Sequence, residues 1–590
     1  MSWKAVLGKG IAIGGLSLPY LLLGIEATRL GFLSNEHAHL IEKALLIRER
    51  GRLEWIGFSY PPLPILLLVP WPRPAAAIVL SALSAGALAW GIWTRLARLD
   101  FPPILRVGLL VAVMAAPSSM FLATQSFDAV LAILLFFAAW IQYLRFTRNG
   151  QTDAGFIAAM LIALGFFASF YAPFFALAFA VTAPLFTRLR SWDHLLAMLL
   201  VLFFPTIVAV GSWIYVSWLF GSDPLRFLYD PGSSLLAAFR PDEAYMAPSA
   251  IAREGLHRLA SAPLYLGVAV LIARYQPKRL LVYLVSPLLT LSAWSMGWIV
   301  PRPFDQALKF IFALAGIPIR TPRRLGWILL VLAIIQIAAD GTSMKAGEIA
   351  RWWSILRAGP MPEDQEEIWI AQELARLPCG SVLADDREAF RLIARAGTAC
   401  PFVLPSDPIF DMAVIRPERF VSYVLVSARP TVWAGPIEAR YRDRPPAGFV
   451  LGPTWSGWRW YRRAAPDEGF RVPNPLYPTA TGMIQLSQMS SQNLPTWSIG
   501  EGRKGKCLCG GSGAIGTIGA TSGDAGDPHA RLLHASGHAG EDELAAFVRA
   551  VRPRMLVPVH AERPERWREI LRGTNIQVGI PEPGQPIPIG

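Results

Sequence analysis

Charge is scarce in this chain: Asp, Glu, Lys and Arg make up 16% of its 590 residues, where a soluble protein of this length carries about a quarter. Cysteine is scarcer still, with four in all, too few for a disulfide-built scaffold. No small-residue cleavage site follows the first apolar run, so that run reads as an anchor and not as a removed leader. What fills the space is apolar: 53% of the residues are hydrophobic and the mean hydropathy is +0.39. The net charge of +13 would point to nucleic acid in a soluble domain. Here much of it lies in short basic loops between apolar runs, where it serves topology.

The apolar residues fall into eleven runs, near 7–25, 74–94, 103–122, 127–144, 154–172, 173–187, 195–220, 259–273, 280–300, 306–319 and 325–340. Most are close to the roughly 20 residues that span a hydrocarbon core. The pair 154–187 can also be read as one broken helix, and 306–319 is short. Lys4 and Lys9 place the N-terminus in the cytoplasm, and every second loop should then be basic. It is so at Arg95 and Arg98, Arg145 and Arg148, Arg188 and Arg190, Arg274 with Lys278 and Arg279, and Arg320 with Arg323 and Arg324. Arg29, Lys43, Arg48, Arg50 and Arg52 break the pattern, sitting in a long loop on the opposite side. An odd number of spans leaves residues 341–590 outside.

From Lys345 the composition becomes soluble. A helix is expected over Glu363 to Leu377 and another over Arg387 to Ala396. Strands are expected at SVLAD (Ser381 to Asp385), at PFVLP and at Tyr423 to Val426, and this alternation implies a small α/β layer. Cys379 and Cys400 each precede a strand; they pair in an oxidising compartment or are two separate thiols. Trp455, Trp458 and Trp460 form an aromatic cluster suited to packing or to stacking on a sugar.

Candidate chemistry concentrates in the loop 33–64, LSNEHAHLIEKALLIRERGRLEWIGFSYPPLP. Ser34, Asn35 and Glu36 open an amphipathic helix, and Tyr60-Pro61-Pro62 closes the loop back toward the membrane. Glu36 stands where a helix dipole favours its ionised form. It is either a functional acid, held near a cleft as a general base requires, or a helix cap. His37 and His39 are two apart and so diverge on a helix, which argues against a zinc pair. Asp128, just inside the fourth span in TQSFDAV, is an acid at the membrane edge and a functional candidate on that ground. Further on, GSWIYVSWLFGSDPLRFLYDPGSS (Gly211 to Ser234) carries Trp213, Trp218 and Tyr229, which suit an interfacial belt. Arg226, Arg240 and Arg253 either hold an anionic phosphate or reach up to lipid headgroups.

The acid in a long first loop, the return at YPPLP and the aromatic span running into FGSDPLRFL resemble the class C glycosyltransferases. The nearest groups are the protein O-mannosyltransferase-like and aminoarabinose-transferase-like membrane enzymes. The resemblance covers about residues 1–465, because GSVLADDREAF and PFVLPSDPIF resemble the soluble tail of bacterial members. It implies transfer of a sugar from a polyprenyl-phosphate donor on the outer face, with inversion at the anomeric carbon. It makes Glu36 the base and Arg226 a phosphate contact. The first-loop acid of the family is usually Asp, whereas here Asn35 precedes a Glu, and Ser217 stands where the aromatic motif has Asn.

The C-terminal part differs. Residues 503–527 are Gly-rich and read as a linker, and Cys507 and Cys509 lack the spacing of a zinc knuckle. HASGHAGEDELAAFVRAVRPRMLVPVHAE, from His534 to Glu562, closely resembles the RNA-specificity end of ribonuclease J-like zinc hydrolases of the metallo-β-lactamase superfamily. That resemblance makes His560 a zinc ligand and His538 a neighbour of the scissile phosphate. The eight histidines are 37, 39, 194, 257, 529, 534, 538 and 560. None belongs to the His-x-His-x-Asp-His loop that a dinuclear site needs.

The expected architecture is a mainly α polytopic membrane protein of about 11 transmembrane helices, with a small α/β extracytoplasmic domain and a short α/β C-terminal tail. The domains are 1–340, the α/β domain 341–475, a linker 476–529 and the tail 530–590. The expected function is an inverting membrane glycosyltransferase in a bacterial inner membrane. Glu36 and Asp128 are its catalytic candidates, and Arg226, Arg240, His37 and Tyr60 its substrate contacts. The alternatives are a non-catalytic protein of the same fold and, on the tail alone, a remnant of a zinc-dependent RNA-processing hydrolase. The partners are a lipid-linked sugar donor and membrane lipids, with the acceptor unidentified and no nucleic acid expected. No cofactor is assigned, a divalent metal is left open, and zinc would need ligands supplied by a partner.

Overall fold

A computed structural model of the chain describes residues 3–51, 59–186, 192–221, 223–230, 233–235, 248–298, 300–343, 347–428, 435–454, 457–464, 517–521, 531–534, 545, 548–549, 555–558 and 565–580. The chain divides into two units, Met1–Thr479 and Ala480–Gly590.

The larger unit is helical as far as Ser343. Its elements are α1 (Trp3–Arg29), α2 (Asn35–Arg50), α3 (Pro62–Leu68), α4 (Pro74–Leu96), α5 (Pro103–Met114), α6 (Pro117–Gln125), α7 (Phe127–Asn149), α8 (Thr152–Phe166), α9 (Ala172–Thr182), α10 (Trp192–Gly221), α11 (Arg226–Tyr229), α12 (Pro248–Ala260), α13 (Pro263–Tyr275), α14 (Leu280–Tyr283), α15 (Val285–Ser295), α16 (Arg302–Gly316) and α17 (Arg323–Ser343). Each of the eleven apolar runs contains a helix. Among the described residues, five helices are long and apolar enough to cross a membrane, and seven spans result if each of two bent pairs is one. The expected count of eleven is therefore met by helices at every position but not by eleven full-length ones.

Proline causes most of the shortening. α5 and α6 meet at 63° and the α12–α13 pair at 84°, each with the second helix beginning on a proline (Pro117, Pro263). A proline lacks the N–H that would continue the ladder and pushes the residue before it out of helical conformation. The run 154–187 is likewise two helices, with α9 carrying a proline in its first turn. Where α1 crosses α4 the backbones touch: a methyl at Gly86 would lie 2.7 Å from the Ile13 carbonyl, the close approach that small residues allow in lipid. Leu200, Phe204, Ile207 and Val208 of α10, and Ile328, Val331, Ile334 and Ile335 of α17, point outward. Such stripes are stable against hydrocarbon and not against water.

After α17 come α18 (Gly347–Ala358), α19 (Pro362–Leu374) and α20 (Asp386–Ala396). They accompany a sheet of β1 (Val382–Leu383), β2 (Phe402–Val403), β3 (Tyr423–Ser427), β4 (Phe449–Thr454) and β5 (Trp458–Arg463) in the order β2-β1-β3-β5-β4. β1 runs parallel to both β2 and β3, while β5 is antiparallel to β3 and β4. β1, β2, β3 and the helix α20 stand where the sequence places them, β4 and β5 were not expected, and of the two readings left open for Cys379 and Cys400 the structure has the disulfide. Side chains alternate along β3: Val424 and Val426 enter a core with Phe410, Ile437 and Tyr461, while Leu425 joins the opposite core, shared with the helices. Trp458 and Trp460 are buried in that same shared core, and Tyr423 meets Trp460 edge to face. Trp455 lies outside the described residues.

The smaller unit holds a sheet of β6 (Thr517–Thr521), β7 (Arg531–His534), β8 (Met555–Pro558) and β9 (Gln577–Val578), in the order β7-β6-β8-β9. Leu556, Val548, Trp567 and Leu571 form its core. β6 falls inside the stretch 476–529 expected to be a linker: its glycines hide a strand whose apolar positions are few.

Candidate functional site

The site is built where α2 meets the break between α6 and α7. Ser34 is the N-cap of α2 and accepts a hydrogen bond from His37 N–H at 3.1 Å. Neither Asn35 nor Glu36 is therefore needed as the cap. Three successive ties join this first turn to residues 125–127. Ser34 Oγ donates to the Gln125 carbonyl at 2.5 Å. Ser126 Oγ donates to Glu36 Oε2. Phe127 N–H donates to His37 Nε2 at 3.2 Å. Ser126 Oγ also lies 3.3 Å from Asp128 Oδ1, so the two candidate acids converge on one hydroxyl. Both carboxylates are half-buried, whereas Ser126 is completely buried.

Burial, together with the charges of Asp128 and Glu348, raises the proton affinity of Glu36 well above that of an ordinary glutamate. Glu348, at the start of α18, accepts from the Asn35 N–H at 2.5 Å, and its own carboxyl is also raised by burial. Tyr60 is buried with no hydrogen-bond partner for its hydroxyl among the described residues. Its proton is held more tightly through burial and the carboxylates of Glu42, Asp128, Glu36 and Asp386 around it.

His37 is buried, and its Nε2 also meets Ser81 Oγ at 3.1 Å. Burial lowers its pKa to about 3, so it is neutral, with Nε2 as the acceptor for the Phe127 N–H. His39 points elsewhere: its ring stacks on Phe390 at 3.7 Å and lies 5.2 Å from Tyr60. Among the described residues no three His, Cys, Asp or Glu side chains are placed to hold a metal ion.

α2 is also the mount for the α/β domain. Lys43 Nζ pairs with Asp386 at 2.9 Å and with Glu42 at 3.3 Å. Arg50 pairs with Asp407 at 2.7 Å, and Glu49 accepts from Ala399 N–H at 2.7 Å. At the N-terminal end Arg391 reaches Asn35 Oδ1 at 3.3 Å, while it and Arg395 pair with Asp364 and Glu367. Lys43 and Arg50, two of the cations that break the expected alternation of basic loops, are thus neutralised by acids of the α/β domain.

Arg226 is half-exposed and pairs with Asp230 at 2.5 Å; Asp230 also lies 3.8 Å from Arg387. Arg253 is exposed, and Arg240, His538 and His560 lie outside the described residues. Four members of the site were not among the residues expected there: Ser126, Glu348, Asp386 and Arg391. Ser126 alone could have been found, since a serine directly before an apolar helix marks a helix start. A second buried cluster joins α12 and α16, where Lys309 and Asp305 pair at 2.6 Å and Arg258 lies 3.9 Å from Asp305.

The fold is similar to that of ArnT from Cupriavidus metallidurans bound to undecaprenyl phosphate, with a TM-score of 0.51 at 11% identity over 78% of this chain and 98% of that one. The apo state of the same ArnT matches over the same shares at 11% identity with a TM-score of 0.49. The mycobacterial arabinofuranosyltransferase AftD matches at 15% identity, over 77% of this chain and 42% of that one, with a TM-score of 0.35. Residues 530–566 match the family model of the Zn-dependent metallo-hydrolase RNA specificity domain. No curated protein matches the chain. With the apolar helices, the ArnT likeness identifies the larger unit as a multi-pass membrane protein of that fold.

Proposed function

We propose that this protein is a membrane glycosyltransferase that moves a sugar from a polyprenyl-phosphate donor to an acceptor at the outer face, with Glu36 as the base. The observation that carries this reading is the convergence of Glu36 and Asp128 on Ser126, at the end of the bundle where α2, α7 and α18 meet. Ionised Glu36 takes the proton of the acceptor hydroxyl as the acceptor oxygen bonds to the anomeric carbon. The bond from that carbon to the phosphate oxygen breaks, and the phosphate leaves with its electron pair. Displacement in line inverts the centre. Tyr60 has a free hydroxyl beside the acids to offer a substrate, and Arg226 is exposed enough to exchange Asp230 for a phosphate. His37, closed off between Ser81 and Phe127, supports the site from behind. The disulfide Cys379–Cys400 favours an oxidising, extracytoplasmic side for the α/β domain, in a bacterial inner membrane with the N-terminus in the cytoplasm.

The reading predicts that purified protein in lipid transfers or slowly hydrolyses sugar from a polyprenyl-phosphate donor, and that Glu36→Gln, still folded, does not. Equal turnover by both would remove Glu36 and leave Asp128. A non-catalytic protein of the same fold is the second reading. It is favoured by Ser217, which replaces the family's Asn and is buried with no hydroxyl partner among the described residues. It predicts no turnover with any donor. For the tail, zinc binding is expected only where a partner adds ligands to His538 and His560; stoichiometric zinc on the protein by itself would contradict this.

A further inference from the structure

Serine is favoured at a helix N-cap because its hydroxyl can bond a free backbone N–H of the first turn. Ser126 holds that position in α7, at φ −146° and ψ 81°, and makes no such bond. Its hydroxyl goes to Glu36 and Asp128 instead. It has no freedom to do otherwise, since the Gln125 carbonyl before it and the Phe127 N–H after it are both fastened to α2 by Ser34 and His37. Ser126 itself is 0% exposed. We infer that Ser126 is a positioning residue that donates to Glu36 and links it to Asp128, making the two carboxylates one acid–base unit. The inference rests on the reading of Glu36 as the base.

The physical need for such a donor is plain from what faces Glu36. Asp128 approaches it from α7 and Glu348 from α18, both acids. Tyr60, in the loop leading into α3, and Tyr171, just before α9, both sense its charge, and neutral His37 is its neighbour on α2. The nearby cations are engaged elsewhere: Lys43 with Asp386 and Glu42, and Arg391 with Asp364 and Glu367. A base surrounded by acids keeps its proton unless a donor favours its charged form, and the Ser126 hydroxyl is that donor. When Glu36 is ionised the hydroxyl points to it. When Glu36 holds a proton, the same hydroxyl is free to turn to Asp128.

The test is an isotope-edited infrared titration of the Glu36 carboxyl in the full-length protein in lipid nanodiscs, with the band assigned by Glu36→Gln. Ser126→Ala should move the Glu36 titration upward by about one to two pH units, the size of a lost hydrogen bond to a charged group. In the turnover assay the acid limb should move with it. Ser126→Thr and Ser126→Val have the same shape and differ in the hydroxyl, so they decide the matter if the alanine variant does not fold. Threonine should titrate like the wild type and valine like alanine. An unchanged Glu36 titration in Ser126→Ala, or identical titrations for threonine and valine, would overturn the inference. A shifted titration with turnover unaffected by Glu36→Gln would leave the link between the residues standing and refute the enzyme reading alone.

Discussion

Breaking the Arg50–Asp407 pair should destabilise the seat of the α/β domain on α2 more than any surface ion pair could. Arg50 Nη1 lies 2.7 Å from Asp407 Oδ1, Nη2 donates to the Phe402 carbonyl at 3.2 Å, and the two side chains are 3% and 4% exposed. An exposed pair contributes about 0.2–1 kcal/mol. A pair this deeply buried belongs to the other regime, where removing one partner strands a charge and costs about 3–5 kcal/mol. Arg50→Met should therefore cost about 3 kcal/mol or more. Asp407→Leu should cost more still, by about 1 kcal/mol, because Asp407 Oδ2 also accepts the Leu404 N–H at 2.7 Å. The double variant should cost clearly less than the sum, since no stranded charge remains. The assay is denaturant unfolding of the four proteins in bicelles, followed by the fluorescence of the α/β domain tryptophans. Two single losses below about 1 kcal/mol that simply add would mean a solvated, uncoupled pair, and would refute the claim that α2 is clamped there.

Two further outcomes follow from the same region. Burial raises the Glu42 pKa to about 7, so its contribution to stability is complete below the unfolded-state value of about 4.3 and is lost as pH rises through 7. Glu42→Gln should flatten that fall and stabilise the protein at pH 8 by about 1–2 kcal/mol, read as a melting temperature against pH; an unchanged slope would contradict it. The Cys379–Cys400 bridge spans 21 residues, and closing a loop of that length restricts the unfolded chain by about 3 kcal/mol. Reductant, or Cys379→Ser with Cys400→Ser, should lower the melting of the α/β domain accordingly. A melting curve indifferent to reductant would show that the bridge does not contribute.

Much of the architecture was legible because its signals are local. Apolar runs place the helices, prolines place many of their starts, and the strand at Tyr423 to Val426 follows from its own residues. The linker expectation failed at β6 because Thr517–Thr521 pairs with β7 and β8, which follow it in the chain, and glycine-rich sequence carries little trace of such pairing. The site was legible in part. Glu36, Asp128 and Tyr60 stood out as an acid, a membrane-edge acid and a rigid turn, and the fold brings them to one place. Their partners did not stand out, because they come from 90 residues away (Ser126) or more than 300 (Glu348, Asp386, Arg391). Charge counting left Lys43 and Arg50 as exceptions for the same reason. The rule counts cations in loops, and cannot see that Asp386 and Asp407 neutralise them.

The most direct test is the pH dependence of sugar turnover by the wild-type protein in lipid, with a polyprenyl-phosphate donor in excess. A base must be ionised to act, and Glu36 keeps its proton to a pH well above the usual glutamate range. Turnover should therefore fall on the acid side well above the roughly 4.3 of a free glutamate, and that limb should vanish with activity in Glu36→Gln. Full turnover down to ordinary carboxylate pH, or the same limb in Glu36→Gln, would contradict the account.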